Sequence, residues 1–166
     1  MDLQEFNSAP AGRLRPQLSA CCDVPRWVDG IIAKRPYGEV AALTAVADQL
    51  LRELDDAEVD QALAAHPRIG DRPSGAGTEA AWSRKEQSGV GDDPDVRSAL
   101  ADGNREYEQR FGRVFLICAT GLSAEQMLSN LRLRLDHDDV TEAAVVRDEL
   151  RKIALLRLSK VLEAQA

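Results

Sequence analysis

His66 stands in the run Ala64-Ala65-His66-Pro67-Arg68-Ile69-Gly70 and is one of only two histidines in 166 residues. Of all side chains, imidazole is the one that ordinarily titrates near neutral pH, so His66 is the strong candidate for moving a proton. Pro67 forces the backbone out of a helix at this point, which leaves the imidazole on a restricted turn at a helix C-terminus, where the protonated form is favoured. The alternative is a histidine that only caps the final carbonyls.

A second group lies in Trp82-Ser83-Arg84-Lys85-Glu86-Gln87-Ser88-Gly89-Val90. On a helix, Ser83, Glu86 and Gln87 fall at i, i+3 and i+4, so a hydroxyl, a carboxylate and an amide share one face that could line a polar pocket. Ser-x-x-Glu is also the pattern of a capping box, and Arg84, Lys85 and Glu86 could be a solvated run. The third candidate is Arg157, in the middle of the apolar stripe Val146, Leu150, Ile153 and Val161. A guanidinium there needs a carboxylate, carbonyl oxygens or an anionic ligand, unless its stem snorkels to water.

Other groups carry less chemistry. Asp136-His137-Asp138-Asp139 is a contiguous run between helices, read as a solvated loop and not as a metal site, whose ligands are usually spaced on a packed framework. Cys21, Cys22 and Cys118 form no zinc or disulfide spacing and read as reduced, packed thiols, with Cys118 an inert core residue rather than a nucleophile. No dinucleotide fingerprint, phosphate loop or serine-hydrolase elbow occurs.

The elements that would position these side chains are helices. Pro25 opens one that Arg35-Pro36 closes; Glu39 to Leu54 carries the stripe Val40, Leu43, Ala47, Leu50 and Leu54; a shorter helix runs from Ala57 to Ala65. Ile69 to Gly77 reads as a loop. Thr78 is the expected N-cap of a helix through Gln87, Pro94 starts another that ends at Gly112, and Ser123 with Gln126 forms a capping box for a helix to Leu135. Asp139 to Leu162 is the longest, about 36 Å at 1.5 Å per residue. Val114 to Ala119 could be a buried extended segment or a helical continuation. The expectation is an all-α, single-domain bundle of about seven to nine helices over 1–166.

Composition narrows the function. Hydrophobic residues at 44% and charged residues at 30% are ordinary for a globular domain. A net charge of −7 opposes binding to a phosphate backbone, so no nucleic acid partner is expected. No apolar run is long enough to span a membrane, the first residues do not read as a secretion signal, and the last three match no peroxisomal address. The cytoplasm is the expected compartment.

The histidine and glutamate runs, twenty positions apart from His66 to Glu86, together with Lys152-Ile153-Ala154-Leu155-Leu156-Arg157-Leu158, resemble the OHCU decarboxylases. These are the 2-oxo-4-hydroxy-4-carboxy-5-ureidoimidazoline decarboxylases of urate breakdown. Phe6-Asn7, Cys21-Cys22, Arg26-Trp27, Arg35-Pro36, Asn104, Tyr107, Phe111-Gly112 and Phe115 extend the likeness over nearly the whole chain. It departs where Asp136-His137 replaces an Asn common in the family.

The resemblance implies an all-helical enzyme without cofactor or metal that converts its imidazoline carboxylate to (S)-allantoin and carbon dioxide, commonly as a homodimer. It implies catalytic roles for His66, Glu86 and Arg157, substrate contacts for Pro67, Ser83 and Gln87, and a pocket wall at Ile117, Cys118 and Ala119. Two other readings stand beside it: a non-catalytic helical binding module, and a different cofactor-free lyase or hydrolase of a related ureide.

Overall fold

Residues 1–71 and 75–163, the part of the chain that the computed structural model describes, form nine α-helices and one short 3₁₀ turn, with no strand among them. Residues 72–74 of the expected Ile69–Gly77 loop, and the terminal residues 164–166, lie outside the described residues. The helices group into two compact units, one of residues Met1–Ala62 with Arg151–Ala166, the other of Leu63–Leu150.

The first unit starts with two helices that the sequence reading, which places no helix before Pro25, does not anticipate. Helix α1 (Leu3–Ser8) opens on a capping box, in which Asp2 Oδ1 accepts from the Glu5 amide at 2.8 Å and the Glu5 side chain accepts from the Asp2 amide at 3.1 Å. Helix α2 (Ala11–Cys21) contains Pro16, ordinarily a helix breaker. Complete burial of Leu14 and Leu18 on its inner face outweighs that local preference.

Helices α3 (Pro25–Ala33) and α4 (Val40–Arg52) match expectation. Val40, the first residue of the expected stripe, is instead 47% exposed, and Leu51 joins Leu43 and Ala47 on the buried face. The fully buried Trp27 ties α3 to α4, its indole N–H donating to the Ala47 carbonyl at 3.0 Å. Arg35 donates to the carbonyls of Phe6 and Ala9 at 2.9 and 2.7 Å, satisfying oxygens that the end of α1 leaves unpaired. Asn7 brackets the Tyr37 backbone, donating to its carbonyl at 2.9 Å and accepting from its amide at 2.8 Å. Helix α5 (Asp56–Ala64) leads from this unit to the next.

In the second unit, helix α6 (Thr78–Glu86) has Gly77 as its N-cap, so Thr78 is already helical and does not cap. The 3₁₀ turn Ser88–Val90 follows. Helix α7 (Pro94–Phe111) starts from Asp93, whose side chain accepts from the Asp95 amide, and stops at Gly112, where a φ of 68° suits glycine. Helix α8 (Ala124–Leu135) has the expected Ser123–Gln126 capping box. Val114 to Ala119 is neither helix nor strand, and Phe115, Ile117 and Ala119 pack into a core with Leu100, Tyr107, Met127 and Leu131. Helix α9 (Asp139–Glu163) is 25 residues long, about 37 Å, and gives its residues up to Leu150 to this unit and those from Arg151 to the first.

A buried polar cluster corrects the reading of residues 136–139 as simply solvated. Glu142, only 1% exposed, accepts from Arg134 Nε at 2.7 Å, the Tyr107 hydroxyl at 2.6 Å and His137 Nδ1 at 3.0 Å. A buried carboxylate needs donors on both oxygens, and this demand draws His137 inward. Burial pushes the Glu142 carboxyl up, but hydrogen bonds from Arg134 and Tyr107 prevail and hold it below the usual carboxylate range. Arg134 also donates to the Leu116 carbonyl at 2.6 Å and lies 4.6 Å over the Phe115 ring.

Candidate active site

His66 follows the last turn of α5. Its amide donates to the Leu63 carbonyl at 3.0 Å, and Pro67 then prevents the helix from continuing. The imidazole is therefore carried on a turn and is partly buried. Helix α6 brings Glu79, Ala80 and Ser83 to the same place, and together with Ala65, His66 and Pro67 they line a cavity of about 470 Å³. That volume falls within the range of small-molecule pockets.

Ser83 is only 3% exposed and lies in the middle of α6, so it is not the cap of a helix. Glu86, in the last helical position of α6, is partly buried, whereas Arg84 and Lys85 face solvent. The Gln87 amide is engaged by the loop after Pro67, with its Oε1 accepting from the Gly70 amide at 3.0 Å and its Nε2 donating to the Arg68 carbonyl at 3.4 Å. Gln87 lines a different cavity of about 270 Å³, with Gly70, Arg84 and Arg97. The structure thus brings His66, Pro67 and Ser83 to one cavity and Gln87 to another.

Ile117 and Ala119, each 4% exposed, belong to the core of the second unit, with Cys118 partly buried between them. Arg157 belongs to the first unit and is 1% exposed. Its Nη1 donates to the Ala20 carbonyl at 2.9 Å, at the negative end of α2. A carbonyl oxygen is one of the partners its place in an apolar stripe demands.

The parts played by three residues escape the sequence reading, although one of them, Asn104, enters it through the family likeness. Glu79 lines the histidine cavity, although in sequence it offers only a favourable charge in the first turn of a helix. Its position four before Ser83 and seven before Glu86 puts it on their face and could have signalled this. Asn104 and Arg97 of α7 bond the backbone of Ile69 and Gly70. Among the described residues, no group of three His, Cys, Asp or Glu side chains could hold a metal ion. No described helix is long and apolar enough to cross a membrane.

An imidazole, a carboxylate and a hydroxyl around one small cavity can transfer protons and orient a polar ring. The sequence profile of OHCU decarboxylase matches residues 7–159. The chain is 27% identical over 151 residues to the uric acid degradation bifunctional protein TTL of Arabidopsis thaliana, covering 88% of this chain and 46% of that protein. It therefore spans about half the length of that relative. To the 2-oxo-4-hydroxy-4-carboxy-5-ureidoimidazoline decarboxylase of Amia calva it is 29% identical over 135 residues, covering 80% of this chain and 77% of that one. A crystal structure of OHCU decarboxylase in the presence of (S)-allantoin shares the fold, with a TM-score of 0.76 and 24% identity over 89% of this chain and 98% of that chain. With the profile extending over almost all of its length, the chain belongs to the OHCU decarboxylase family.

Proposed function

We propose that this protein decarboxylates 2-oxo-4-hydroxy-4-carboxy-5-ureidoimidazoline to (S)-allantoin, acting as a single functional domain over 1–166. Family membership supports carboxy-lyase chemistry, and the single observation that carries the assignment to residues is the cavity shared by His66 and Ser83.

The substrate's carboxylate sits on a ring carbon next to a C=N bond. When the carbon–carbon bond to the carboxylate breaks, its electron pair moves into the ring, carbon dioxide leaves, and a proton added to one face sets the S configuration. The substrate is its own electron sink, so neither cofactor nor metal is needed. What the protein must supply is orientation and one well-placed proton carrier.

His66 is assigned the general acid/base role, on the ring hydroxyl or on the carbon that gains the proton. Glu86 orients or charge-stabilises it and accepts from ureido N–H groups. Arg157 binds substrate oxygens as charge redistributes, the contribution a preorganised cation makes in a site sheltered from water. Pro67 and Ser83, with the main chain of Ile117, Cys118 and Ala119, complete the proposed pocket, and Gln87, on a different cavity, is proposed to serve it through the Arg68–Gly70 loop that its amide holds.

A homodimer in the cytoplasm belongs to the same proposal, the dimer supported by family habit. Sedimentation of the purified protein at twice the chain mass is the expected result; a monomer at all concentrations would remove the dimer from the proposal. Activity is tested with freshly generated substrate, whose spontaneous decay gives racemic allantoin. An enantiomeric excess of the S product, formed faster than background, is expected from the protein.

A further inference from the structure

Each residue from Arg68 to Gly70 is gripped by a side chain from another element. The Ile69 carbonyl accepts from Asn104 Nδ2 at 2.8 Å, and the Gly70 carbonyl accepts from Arg97 Nη2. The Gly70 amide donates to Gln87, and the Arg68 guanidinium makes two bonds to the Glu108 carboxylate, at 2.5 and 3.3 Å. Arg97, Asn104 and Glu108 occur at i, i+7 and i+11 on α7, so one helix face supplies three of the four grips.

Asn104 is the unexpected member. It is 3% exposed, between the buried residues Leu100 and Tyr107, and its Oδ1 is buried without a hydrogen-bond partner among the described residues. Burying an amide with one end unsatisfied costs stability, and leucine would fill a core position without that cost. What the amide secures is the carbonyl of Ile69, itself a buried core residue three positions after His66. Pro67, with its fixed φ, lies between them, so little slack separates the clamped loop from the imidazole.

We infer that Asn104, supported by Arg97, is a positioning residue for His66: by fixing the Ile69–Gly70 backbone it sets how the imidazole enters its cavity. The inference rests on the assignment of proton transfer to His66 under the proposed function. Asn104 touches no reacting atom in this scheme and acts only through the loop.

The test compares Asn104→Leu, Arg97→Met and His66→Ala in the 166-residue chain, each checked for folding by circular dichroism. Asn104→Leu is expected to lower kcat about 10- to 100-fold, the scale of a misplacement near one ångström, while KM changes less than about threefold. With only two histidines in the chain, the His66 ring resonance can be read directly against that of His137. It should shift or broaden in Asn104→Leu while the His137 signal holds its place, a response that a purely structural core residue would not give. Should Asn104→Leu fail to fold, Arg97→Met carries the same expectations through Gly70. Loss of activity in His66→Ala, with wild-type kcat and an unmoved His66 signal in the folded clamp variant, would overturn this inference alone. Wild-type kcat in His66→Ala would overturn the assignment of His66 and the inference with it.

Discussion

The Tyr107 hydroxyl donates to the Glu142 carboxylate at 2.6 Å, joining α7 to the first turn of α9 inside the second unit. Arg134 and His137 complete the carboxylate's partners, so one buried anion gathers three elements. Its carboxyl is held below its usual value of 4.5 by hydrogen bonds that outweigh burial. A depressed value in the folded state contributes stability that is present above the unfolded value and lost as pH falls through the folded one. Wild-type stability, measured by urea unfolding, should therefore fall as pH drops below about 4.5. Glu142→Gln should flatten that dependence and, by leaving Arg134 buried without its anion, cost about 3–5 kcal/mol near neutral pH. A variant as stable as wild type at neutral pH would contradict this.

Gly89 lies where the 3₁₀ turn meets the approach to α8. A Cβ there would sit 1.9 Å from the Leu122 carbonyl oxygen, a backbone atom that cannot rotate away. Gly89→Ala is expected to displace the turn and destabilise the protein by roughly 1–3 kcal/mol, the usual cost of an overpacked contact. An unchanged thermal midpoint would show that the turn yields at no cost.

Ser83 is buried, mid-helix, and faces the histidine cavity. If its hydroxyl holds substrate, Ser83→Ala should reduce kcat/KM by about two- to tenfold, the worth of one neutral hydrogen bond of about 0.5–1.5 kcal/mol. Most of the change should appear in KM. Steady-state kinetics with unchanged KM would remove Ser83 from the pocket.

Arg157 offers a separation of structure from function. Methionine has a comparable apolar length, so it keeps much of the packing of the arginine stem while removing the charge and its donors. Arg157→Met is expected to remain folded yet lose about 10²–10³-fold in kcat, as when a preorganised donor is removed. A folded variant with wild-type turnover would confine Arg157 to a structural role, of which its bond to the Ala20 carbonyl is part.

What could be read from the chain was what depends on neighbours in sequence. The Pro94 start and Gly112 stop of α7 and the Ser123–Gln126 box of α8 are local signals, and the helices begin and end at them. His66 could be found because Pro67 adjoins it. Helix α2 was hidden because Pro16 argues locally against it, and only the burial of Leu14 and Leu18 reverses that preference. Ser83 and Glu86 matched a capping box as well as a pocket face, and it took the position of α6 to remove the first reading. Asn104 and the Tyr107–Glu142 pair act over 35 positions each, beyond the reach of any periodicity.

The central assignment, stereospecific proton delivery by His66, is tested most directly by one comparison: wild type against His66→Ala, mixed with freshly generated imidazoline carboxylate and followed by circular dichroism of the product. Wild type should build a strong S signal faster than spontaneous decay, while the folded variant should give allantoin at the background rate with no enantiomeric excess. A folded His66→Ala protein that builds the S signal at the wild-type rate would contradict the assignment.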